Sequence, residues 1–258
     1  MELQPGQTAV ITGGGSGIGR EIALAFAREG LHIVVSDIDQ ARAQAVADEA
    51  AALGVRSLAV EVDTGDAASV EALADAAYAA FGAVNVLCNN AGILQMGPIM
   101  EASQDDWEWL FRVNLWGVLN GVRTFVPRMR AQGSPAHVVN TSSLSGVFAV
   151  RNLGVYTAAK YGVVAISETM KIELDDIGVS VLCPGPTPSQ ITQEMRGTVG
   201  DAPASSSLNL GQRDAAVVAQ CVIDGIKADR FYLFSHSTGQ GPTEARFNAM
   251  LDGFAVAP

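Results

Sequence analysis

A tyrosine and a lysine four residues apart carry the clearest chemistry in this sequence. Tyr156 and Lys160 belong to YTAAK, and on a helix this spacing places both side chains on one face. An ammonium beside a phenol favours the ionised form and lowers the phenol pKa, so Tyr156 is expected to exchange a proton with a carbinol oxygen. The alternative is an exposed pair on a helix surface. Ser143 in SSLSG, thirteen residues earlier, argues against that alternative because its hydroxyl could hydrogen-bond the same oxygen.

An asparagine lies where a helix would not favour one. Asn114 stands in RVNLWGV, inside a segment with a helical pattern, and asparagine is a poor helix former. A functional role would account for it. We predict a kink in the helix at Asn114, with a bound water molecule that relays protons to Lys160.

A glycine-rich segment, TGGGSGIGR at 12–20, lies between a predicted strand and a predicted helix. Gly13 would allow a tight turn, Gly17 a close approach of phosphate to the backbone, and Gly19 close packing of helix against strand. The free N–H groups at the helix start would face a pyrophosphate. An ordinary strand–helix turn is the alternative, since the spacing is GxxxGxG and not GxGxxG. The expected dinucleotide contacts here are Gly13, Ser16, Gly17, Ile18 and Gly19.

An acidic residue follows the second predicted strand, eighteen residues beyond Gly19. A carboxylate at Asp37 can hydrogen-bond both hydroxyls of an adenosine ribose and repels a 2′-phosphate. Neither Ser16 nor Ile38 offers a positive charge for that phosphate, so NAD is expected in preference to NADP. Helix capping is the alternative for Asp37. Asp63, at the end of VEVDT, is expected to bind the adenine amino group, and a capping role stays open.

A second turn of small residues, NNAG at 89–92, follows the predicted strand VNVLC. Small side chains at Ala91 and Gly92 would let the backbone pass beneath the ribose on the nicotinamide side. A generic turn at the end of a strand is the alternative for this motif alone.

These side chains need a scaffold that brings strand ends together. Short apolar, β-branched runs alternate with helical patterns, as expected for strands buried on both faces of a parallel sheet. Right-handed crossovers then give an α/β fold, here one domain over 1–258, with its ligand at the carboxyl ends of the strands. The predicted strands are 8–12, 32–36, 57–62, 84–88, 137–140, 179–183 and 231–234.

Composition excludes several classes of partner. The chain has 258 residues, of which 48% are hydrophobic and 17% charged, as in a globular protein. A net charge of −11 argues against nucleic acid and against an anionic membrane surface. Three cysteines without CxxC spacing, no visible signal peptide and no apolar run of membrane-spanning length predict a cytoplasmic protein. The histidines have no metal-binding spacing, so no metal is expected; they are His32, His137 and His236.

A stretch rich in Pro, Gly, Ser and Thr follows the sixth predicted strand. We predict a substrate lid at 186–212, with a disordered surface loop as the alternative. The lid, the segment after NNAG and the segment before Tyr156 would form apolar walls that suit a bulky hydrophobic alcohol or ketone. Arg151 would challenge this prediction if it anchored a carboxylate. The expected substrate contacts are Leu94, Gln95, Val150, Leu153 and Pro186.

Together, TGGGSGIG, NNAG, the SxxG at Ser143, YTAAK and LCPGP resemble the short-chain dehydrogenase/reductase family, in its standard single-domain branch. The resemblance implies a doubly wound Rossmann fold with seven parallel strands, and a homo-oligomer, either tetramer or dimer, built partly on the helices that carry Asn114 and Tyr156. It implies a hydrogen bond from Lys160 to the nicotinamide ribose. The implied catalytic residues are Asn114, Ser143, Tyr156 and Lys160, and the further implied cofactor contacts are Asn90, Pro184, Gly185 and Ser189.

Two departures narrow the resemblance. The family often has PGxVxT after the sixth strand, whereas Thr187 and Ser189 stand here in place of Val and Thr. PGP at this point and the C-terminal sequence are similar to the NAD-dependent Cα-dehydrogenases of lignin-type aryl ethers. We therefore expect NAD-dependent interconversion of a bulky hydrophobic secondary alcohol and its ketone. A 3-oxoacyl thioester reductase and a non-catalytic NAD-binding scaffold are the alternatives.

Overall fold

A single parallel sheet forms the centre of the computed structural model, which describes residues 1–192, 195–197 and 210–255. Within these residues seven strands lie in the order β3-β2-β1-β4-β5-β6-β7. All seven predicted strands are confirmed, with ends shifted by two residues at most. The strands are β1 Thr8–Thr12, β2 His32–Asp37, β3 Ser57–Glu61, β4 Val86–Asn89, β5 His137–Thr141, β6 Gly178–Leu182 and β7 Tyr232–Leu233.

Helices cover both faces of the sheet, so the doubly wound fold expected from the sequence is confirmed. Helices α1, α2 and α7 pack on one face, and α3, α5 and α6 pack on the other. The helices are α1 Gly17–Arg28, α2 Gln40–Ala52, α3 Ala67–Phe81, α4 Gln104–Phe111, α5 Gly117–Ala131, α6 Gly154–Glu173, α7 Ala215–Lys227 and α8 Gln240–Ala255.

The alternation of side chains along each strand supplies both apolar layers. In β1, Ala9 and Ile11 enter the core beneath α1 and α7, whereas Val10 enters the opposite core with α3 and α5. All three are fully buried. This explains why the strands read as nearly continuous apolar runs.

The strand order reverses direction between β1 and β4, which leaves a crevice at the carboxyl ends of the strands. Every motif with expected chemistry follows a strand end at this edge or lies in a neighbouring helix. Of the predicted lid at 186–212, residues 193–194 and 198–209 fall outside the described part of the chain. Within the described part, none of the helices has the length and apolar character needed to cross a bilayer, and no cluster of three or more His, Cys, Asp or Glu is placed to hold a metal ion.

A buried histidine in β5 makes stability depend on pH. His137 is fully buried; its Nε2 lies 2.8 Å from Ser180 Oγ, and its Nδ1 has no hydrogen-bond partner among the described residues. Burial lowers the pKa of His137 to about 4. The unfolded chain therefore binds this proton more readily, and the stabilisation present above the unfolded pKa of 6.5 is lost as pH falls towards 4.

His137→Gln keeps an N–H donor towards Ser180 and removes the titration. The free energy of unfolding of the wild type should fall by about 3 kcal/mol more than that of the variant between about pH 7 and about pH 4. Urea unfolding at both pH values measures this difference. His32→Gln, at a partly exposed histidine whose pKa burial also lowers, is the control and should change the pH dependence less than His137→Gln. Parallel pH profiles of wild type and His137→Gln would contradict the prediction.

Candidate active site

A cavity of about 540 Å³ lies at the carboxyl ends of the strands. Its lining follows the sheet from β2 to β6: Asp37 ends β2, Gly13 follows β1, Asn90 follows β4, Ser143 follows β5 and Pro184 follows β6. Residues that are more than a hundred positions apart in sequence thus share one cavity. The cavity therefore follows the strand ends from β2 to β6, the edge at which doubly wound sheets bind dinucleotides.

The glycine-rich turn has the geometry that its sequence predicts. Gly13 has φ +61°, a conformation that favours glycine. A Cβ at Gly19 would lie 2.1 Å from the Gly13 carbonyl oxygen, so only glycine allows α1 to pack this closely. Ser16 precedes α1 in an extended conformation, and its side chain makes no capping hydrogen bond with the helix. With Gly17 and Ile18, Ser16 lines the cavity, where the first N–H groups of α1 can receive an anion.

Asp37 is a cavity residue and not a helix cap. Its carboxylate accepts hydrogen bonds from the Gly15 N–H (3.0 Å) and the Asp39 N–H (3.1 Å). The N-cap of α2 is Asp39, which accepts from two N–H groups of the first turn. The capping alternative for Asp37 is therefore wrong. The side chain is nearly buried and lines the end of the cavity at β2.

Asp63 lies at the same end and is also not a cap, because Asp66 caps α3. The Asp63 carboxylate contacts Arg112 Nη1 at 2.8 Å and accepts from the Gly65 N–H at 2.9 Å. It lines the cavity. The expected contact between Asp63 and an adenine amino group stays a prediction.

A positive charge that no sequence motif indicates lies beside Asp37. Arg42 lines the cavity, with its Nε 3.1 Å from Asp39 Oδ2 and 4.0 Å from Asp37 Oδ1. Its Nη1 donates to Gln190 at 3.0 Å. The sequence prediction considered only Ser16 and Ile38 as sources of positive charge at this end of the cavity, and Arg42 is a further one. The available signal was position, since Arg42 lies in the first turn of the helix that follows Asp37.

The NNAG turn is joined to the glycine-rich turn. Asn90 Nδ2 donates to the carbonyl oxygens of Thr12 (3.1 Å) and Gly13 (3.2 Å). Thr12 Oγ1 in turn accepts from the N–H groups of Asn90 (3.0 Å) and Ala91 (3.1 Å). The Asn90 amide therefore holds two strand ends together, while Asn90, Ala91 and Gly92 still line the cavity. Its expected role as a cofactor contact stays a prediction.

Three of the four expected catalytic side chains line the other end of the cavity. Ser143 follows β5, and its hydroxyl hydrogen-bonds the Tyr156 hydroxyl. Lys160, one turn after Tyr156 on α6, donates from Nζ to the Thr141 carbonyl at 2.9 Å. The same Nζ lies 5.6 Å from the centroid of the Tyr156 ring. The expected grouping of serine, tyrosine and lysine is present in the structure.

The pKa of Tyr156 departs from the expectation. Burial raises the pKa of Tyr156 to about 12, and the hydrogen bond from Ser143 offsets this only in part. Burial also lowers the pKa of Lys160 to about 8. The prediction of a lowered phenol pKa is thus wrong for this structure, because the desolvation of the phenolate dominates.

Asn114 lies where the helix leaves α geometry, as the sequence predicts. A π-helical turn, Arg112–Trp116, joins α4 to α5. The Asn114 side chain is fully buried. Its Oδ1 accepts from the Ile93 N–H and its Nδ2 donates to the Ile93 carbonyl, both at 2.8 Å. Asn114 therefore fixes the loop that follows NNAG, and it is this loop that forms one wall of the cavity.

Four of the five expected substrate residues line the cavity: Leu94, Val150, Leu153 and Pro186. Gln95 does not, which corrects the prediction. The chain is extended at this point, so neighbouring side chains point in opposite directions, and Leu94 and Met96 take the cavity side. Gln95 is buried on the other side, where its Nε2 donates to the Met96 carbonyl at 3.2 Å. Arg151 is exposed and is not part of the lining.

A histidine from the C-terminal part of the chain supports the loop after β6. His236 is buried, and its imidazole contacts the backbone of Gly185 and Pro186. Gly185, Pro184 and Ser189 line the cavity, as expected. No spacing in the sequence indicates the role of His236, because it depends on a contact between residues about fifty positions apart.

The chain belongs to the short-chain dehydrogenase family, whose profile matches residues 7–200. It is 34% identical to 1-deoxy-11-beta-hydroxypentalenate dehydrogenase of Streptomyces avermitilis, over 96% of this chain and 91% of that protein. It is also 34% identical to C alpha-dehydrogenase of a Sphingobium species, over 98% of this chain and 87% of that protein. The resemblance drawn from the sequence is confirmed, and the chain is an oxidoreductase of hydroxyl or ketone groups.

Solved structures agree with this assignment. A short-chain dehydrogenase/reductase from Burkholderia phymatum, in complex with NAD, has a TM-score of 0.89 at 34% identity, covering 97% of this chain and 96% of that chain. LigD from Sphingobium, in its apo form, has a TM-score of 0.85 at 32% identity, covering all of both chains. The Rossmann fold of the described residues is therefore shared with both structures.

Proposed function

We propose that this chain is an NAD-dependent oxidoreductase that interconverts a bulky hydrophobic secondary alcohol and its ketone. One observation carries the proposal: Asp37 and the glycine-rich turn lie at one end of a single cavity, and Ser143, Tyr156 and Lys160 lie at the other. Asp37 and the glycine-rich turn would hold the adenosine end of a dinucleotide, and its nicotinamide would then extend towards the end of the cavity that Ser143, Tyr156 and Lys160 line. Bound there, the nicotinamide would exchange a hydride with the alcohol or ketone.

The residues present fit NAD. The Asp37 carboxylate faces the position of the adenosine ribose, and α1 presents free N–H groups to the pyrophosphate. The NAD complex of the Burkholderia relative supports this choice. Bound NAD supplies the hydride acceptor for oxidation, and NADH supplies the donor for reduction.

Tyr156 moves the proton in this proposal. In reduction it donates its phenolic proton to the carbonyl oxygen, and at neutral pH it holds that proton because burial raises its pKa to about 12. In oxidation the phenolate takes the hydroxyl proton. The positive charge on Lys160, with Nζ 5.6 Å from the ring centroid, stabilises this phenolate. Ser143 donates a hydrogen bond to the same substrate oxygen.

Lys160 and Asn114 act around this centre. An ammonium has three donors, and the bond to the Thr141 carbonyl uses one, which leaves donors for the nicotinamide ribose. The Asn114 amide is occupied by Ile93, so we assign its side chain to holding the loop after β4. In this proposal Asn114 supports proton exchange indirectly, by fixing the position of that loop.

The cavity walls support an apolar substrate. Aryl or alicyclic secondary alcohols should have a kcat/KM at least about tenfold above that of short aliphatic alcohols or sugars, since each further buried CH₂ contributes about 0.8 kcal/mol. NADH absorbance with a panel of such alcohols measures this. Leu153→Asn in the wall should weaken the preference, and Arg151→Asn, two positions earlier and exposed, should keep it.

The panel also separates the rival functions. Polyols or hydroxy acids that exceed every apolar alcohol would contradict the substrate proposal. A non-catalytic scaffold would bind NADH and turn over none of the alcohols. A 3-oxoacyl thioester reductase would reduce acetoacetyl thioesters in preference to acting on the alcohols.

We also propose that the chain forms a homo-oligomer through the helices that carry Asn114 and Tyr156. Two large apolar side chains on them are exposed: Trp116 by 52% and Ile172 by 86%. Ile172→Lys should lower the mass measured by sedimentation velocity. Met100→Lys, at an exposed methionine outside these helices, should leave the mass unchanged. A wild-type mass of one chain would exclude the oligomer.

A further inference from the structure

The short turn after β7, residues 235–239, packs against the reactive end of the cavity. His236 in this turn is 2% exposed. Neither the sequence motifs nor the proposed chemistry assigns a role to it. Its contacts nevertheless lead to the catalytic serine.

The hydrogen bonds of His236 define its protonation state. Nδ1 lies 3.1 Å from the Gly185 N–H, which only donates, so Nδ1 is an acceptor. Nε2 lies 3.1 Å from the Pro186 carbonyl oxygen, which only accepts, so Nε2 carries the hydrogen. Ser235 Oγ lies 2.9 Å from Nδ1 and can donate to it as well. The geometry therefore requires the neutral imidazole with its hydrogen on Nε2.

The loop held by His236 reaches Ser143. Pro184, Gly185 and Pro186 form part of the cavity wall. The Pro184 carbonyl accepts the Leu144 N–H at 2.9 Å and the Ser143 hydroxyl at 3.5 Å. Because the Ser143 hydroxyl is also within hydrogen-bonding reach of Tyr156 and can turn from the Pro184 carbonyl towards it, the position of this loop influences the group that orients the substrate oxygen.

The same turn fixes a second segment of the wall. Thr238 Oγ1 donates to the Leu210 carbonyl at 2.7 Å, and Leu210 lines the cavity. The Arg213 N–H donates to the Pro186 carbonyl at 3.1 Å. Gly239 is packed so closely against Leu144 that a Cβ would lie 2.7 Å from its side chain. The 235–239 turn thus joins three segments that surround the expected position of the nicotinamide and substrate.

We propose that His236 is a positioning residue, whose neutral imidazole holds the loop after β6 in the place that Ser143 needs to bind the substrate oxygen. This inference rests on the proposed function. His236 touches neither substrate nor cofactor in it, and it acts through the Gly185 N–H and the Pro186 carbonyl.

The surroundings keep the imidazole neutral. Burial lowers the pKa of His236, the charge of Arg213 lowers it further, and the bond to the Pro186 carbonyl opposes them. Neither the loop 184–189 nor the turn Leu144–Gly146 has a titratable side chain, and the segment from Leu210 brings Arg213 and the cap residue Asp214. When pH falls below the pKa of His236, Nδ1 takes a proton and the Gly185 N–H loses its acceptor.

Two substitutions separate the two hydrogen bonds. His236→Asn retains an acceptor near the position of Nδ1, and His236→Gln retains a donor near the position of Nε2. His32→Asn, at the amino end of β2, is the matched control. Amide hydrogen exchange of the peptide containing Gly185, measured by mass spectrometry, tests the contact without any need for activity. Exchange should be about tenfold faster in His236→Gln and close to wild type in His236→Asn and His32→Asn.

Kinetics with 1-phenylethanol test the consequence. His236→Gln should lower kcat/KM for this alcohol by about ten- to a hundredfold, since small displacements near reacting groups are costly. NADH affinity, measured by fluorescence, should fall by less than kcat/KM does, because the loop after β6 supplies only part of the expected cofactor contacts and Asp37 and the glycine-rich turn supply others. The kcat/KM of the wild type should fall in acid as His236 takes a proton. This fall should be smaller in His236→Asn, because asparagine does not take up a proton.

Unchanged exchange at Gly185 in His236→Gln would overturn the proposal. Equal kinetic losses in His236→Asn and His236→Gln would also overturn it, since the role would then be packing alone. Faster exchange with unchanged kinetics would show a contact without a catalytic consequence and reject the positioning role. A wild type with no NAD turnover on any alcohol would instead reject the proposed function, and the exchange data would still decide whether His236 holds the loop.

Discussion

Replacing Tyr156 by phenylalanine is expected to lower kcat/KM by about a hundredfold to ten-thousandfold, the usual contribution of a general acid–base group. The substitution removes the phenolic oxygen and leaves the ring, which packs with Leu110, Val155 and Ala159. NADH binding should therefore stay close to that of the wild type. Steady-state kinetics with NAD and an aryl secondary alcohol, together with fluorescence titration of NADH, measure both quantities.

The chain offers a matched control for this prediction. Tyr161 lies on the same helix five residues later, is not part of the cavity lining, and stacks under the Arg246 guanidinium at 5.0 Å. Tyr161→Phe should retain turnover. Near-normal turnover in Tyr156→Phe would show that another group transfers the proton.

The second large effect is expected in the choice of cofactor. Asp37→Ser removes the negative charge that faces the adenosine ribose and leaves the Arg42 guanidinium at the same end of the cavity. The ratio of kcat/KM for NADP to that for NAD should rise by about ten- to a thousandfold, because two unit charges about 4 Å apart interact by up to about 4 kcal/mol near a protein surface. The ratio is the quantity to measure, since loss of the bond from the Gly15 N–H weakens binding of both cofactors.

The same substitution at another aspartate tests whether the effect is local. Asp66 caps α3 and does not line the cavity, and serine also caps helices well. Asp66→Ser should leave the cofactor ratio near that of the wild type. A wild-type enzyme that prefers NADP would show that Asp37 does not select the cofactor.

The order and type of the strands could be predicted because they depend on local sequence patterns. Strands buried on both faces must be apolar at nearly every position, and segments such as TAVIT and VNVLC meet that demand. The glycine-rich turn could be predicted in the same way. Gly13 has a positive φ, and a side chain at Gly19 would collide with the Gly13 carbonyl, so both positions require glycine. Chemistry that depends on fixed spacing within one helix, as between Tyr156 and Lys160, could be predicted for the same reason.

The parts of the site that escaped prediction depend on tertiary contact. Arg42 faces Asp37 because α2 starts just beyond β2, and His236 reaches Gly185 because β6 and β7, whose ends they follow, are neighbours in the sheet. Gln95 points away from the cavity because the extended chain alternates, and its neighbours Leu94 and Met96 take the inner side. Burial, which raises the pKa of Tyr156, results from the whole fold and is invisible in the spacing of YTAAK.

The π turn at Arg112–Trp116 has a consequence for how relatives are aligned. Such a turn contains one residue more than an α-helical turn, and each residue of an α-helix advances the side chains by about 100°. The inward-facing positions of α5 are therefore shifted by one residue from the positions that the α-helical repeat of α4 would predict. Asn114 lies at the point where this shift occurs. A homologue without the extra residue must be aligned with a gap inside a helix. Placing that gap in a neighbouring loop would pair Asn114 with a residue that points elsewhere.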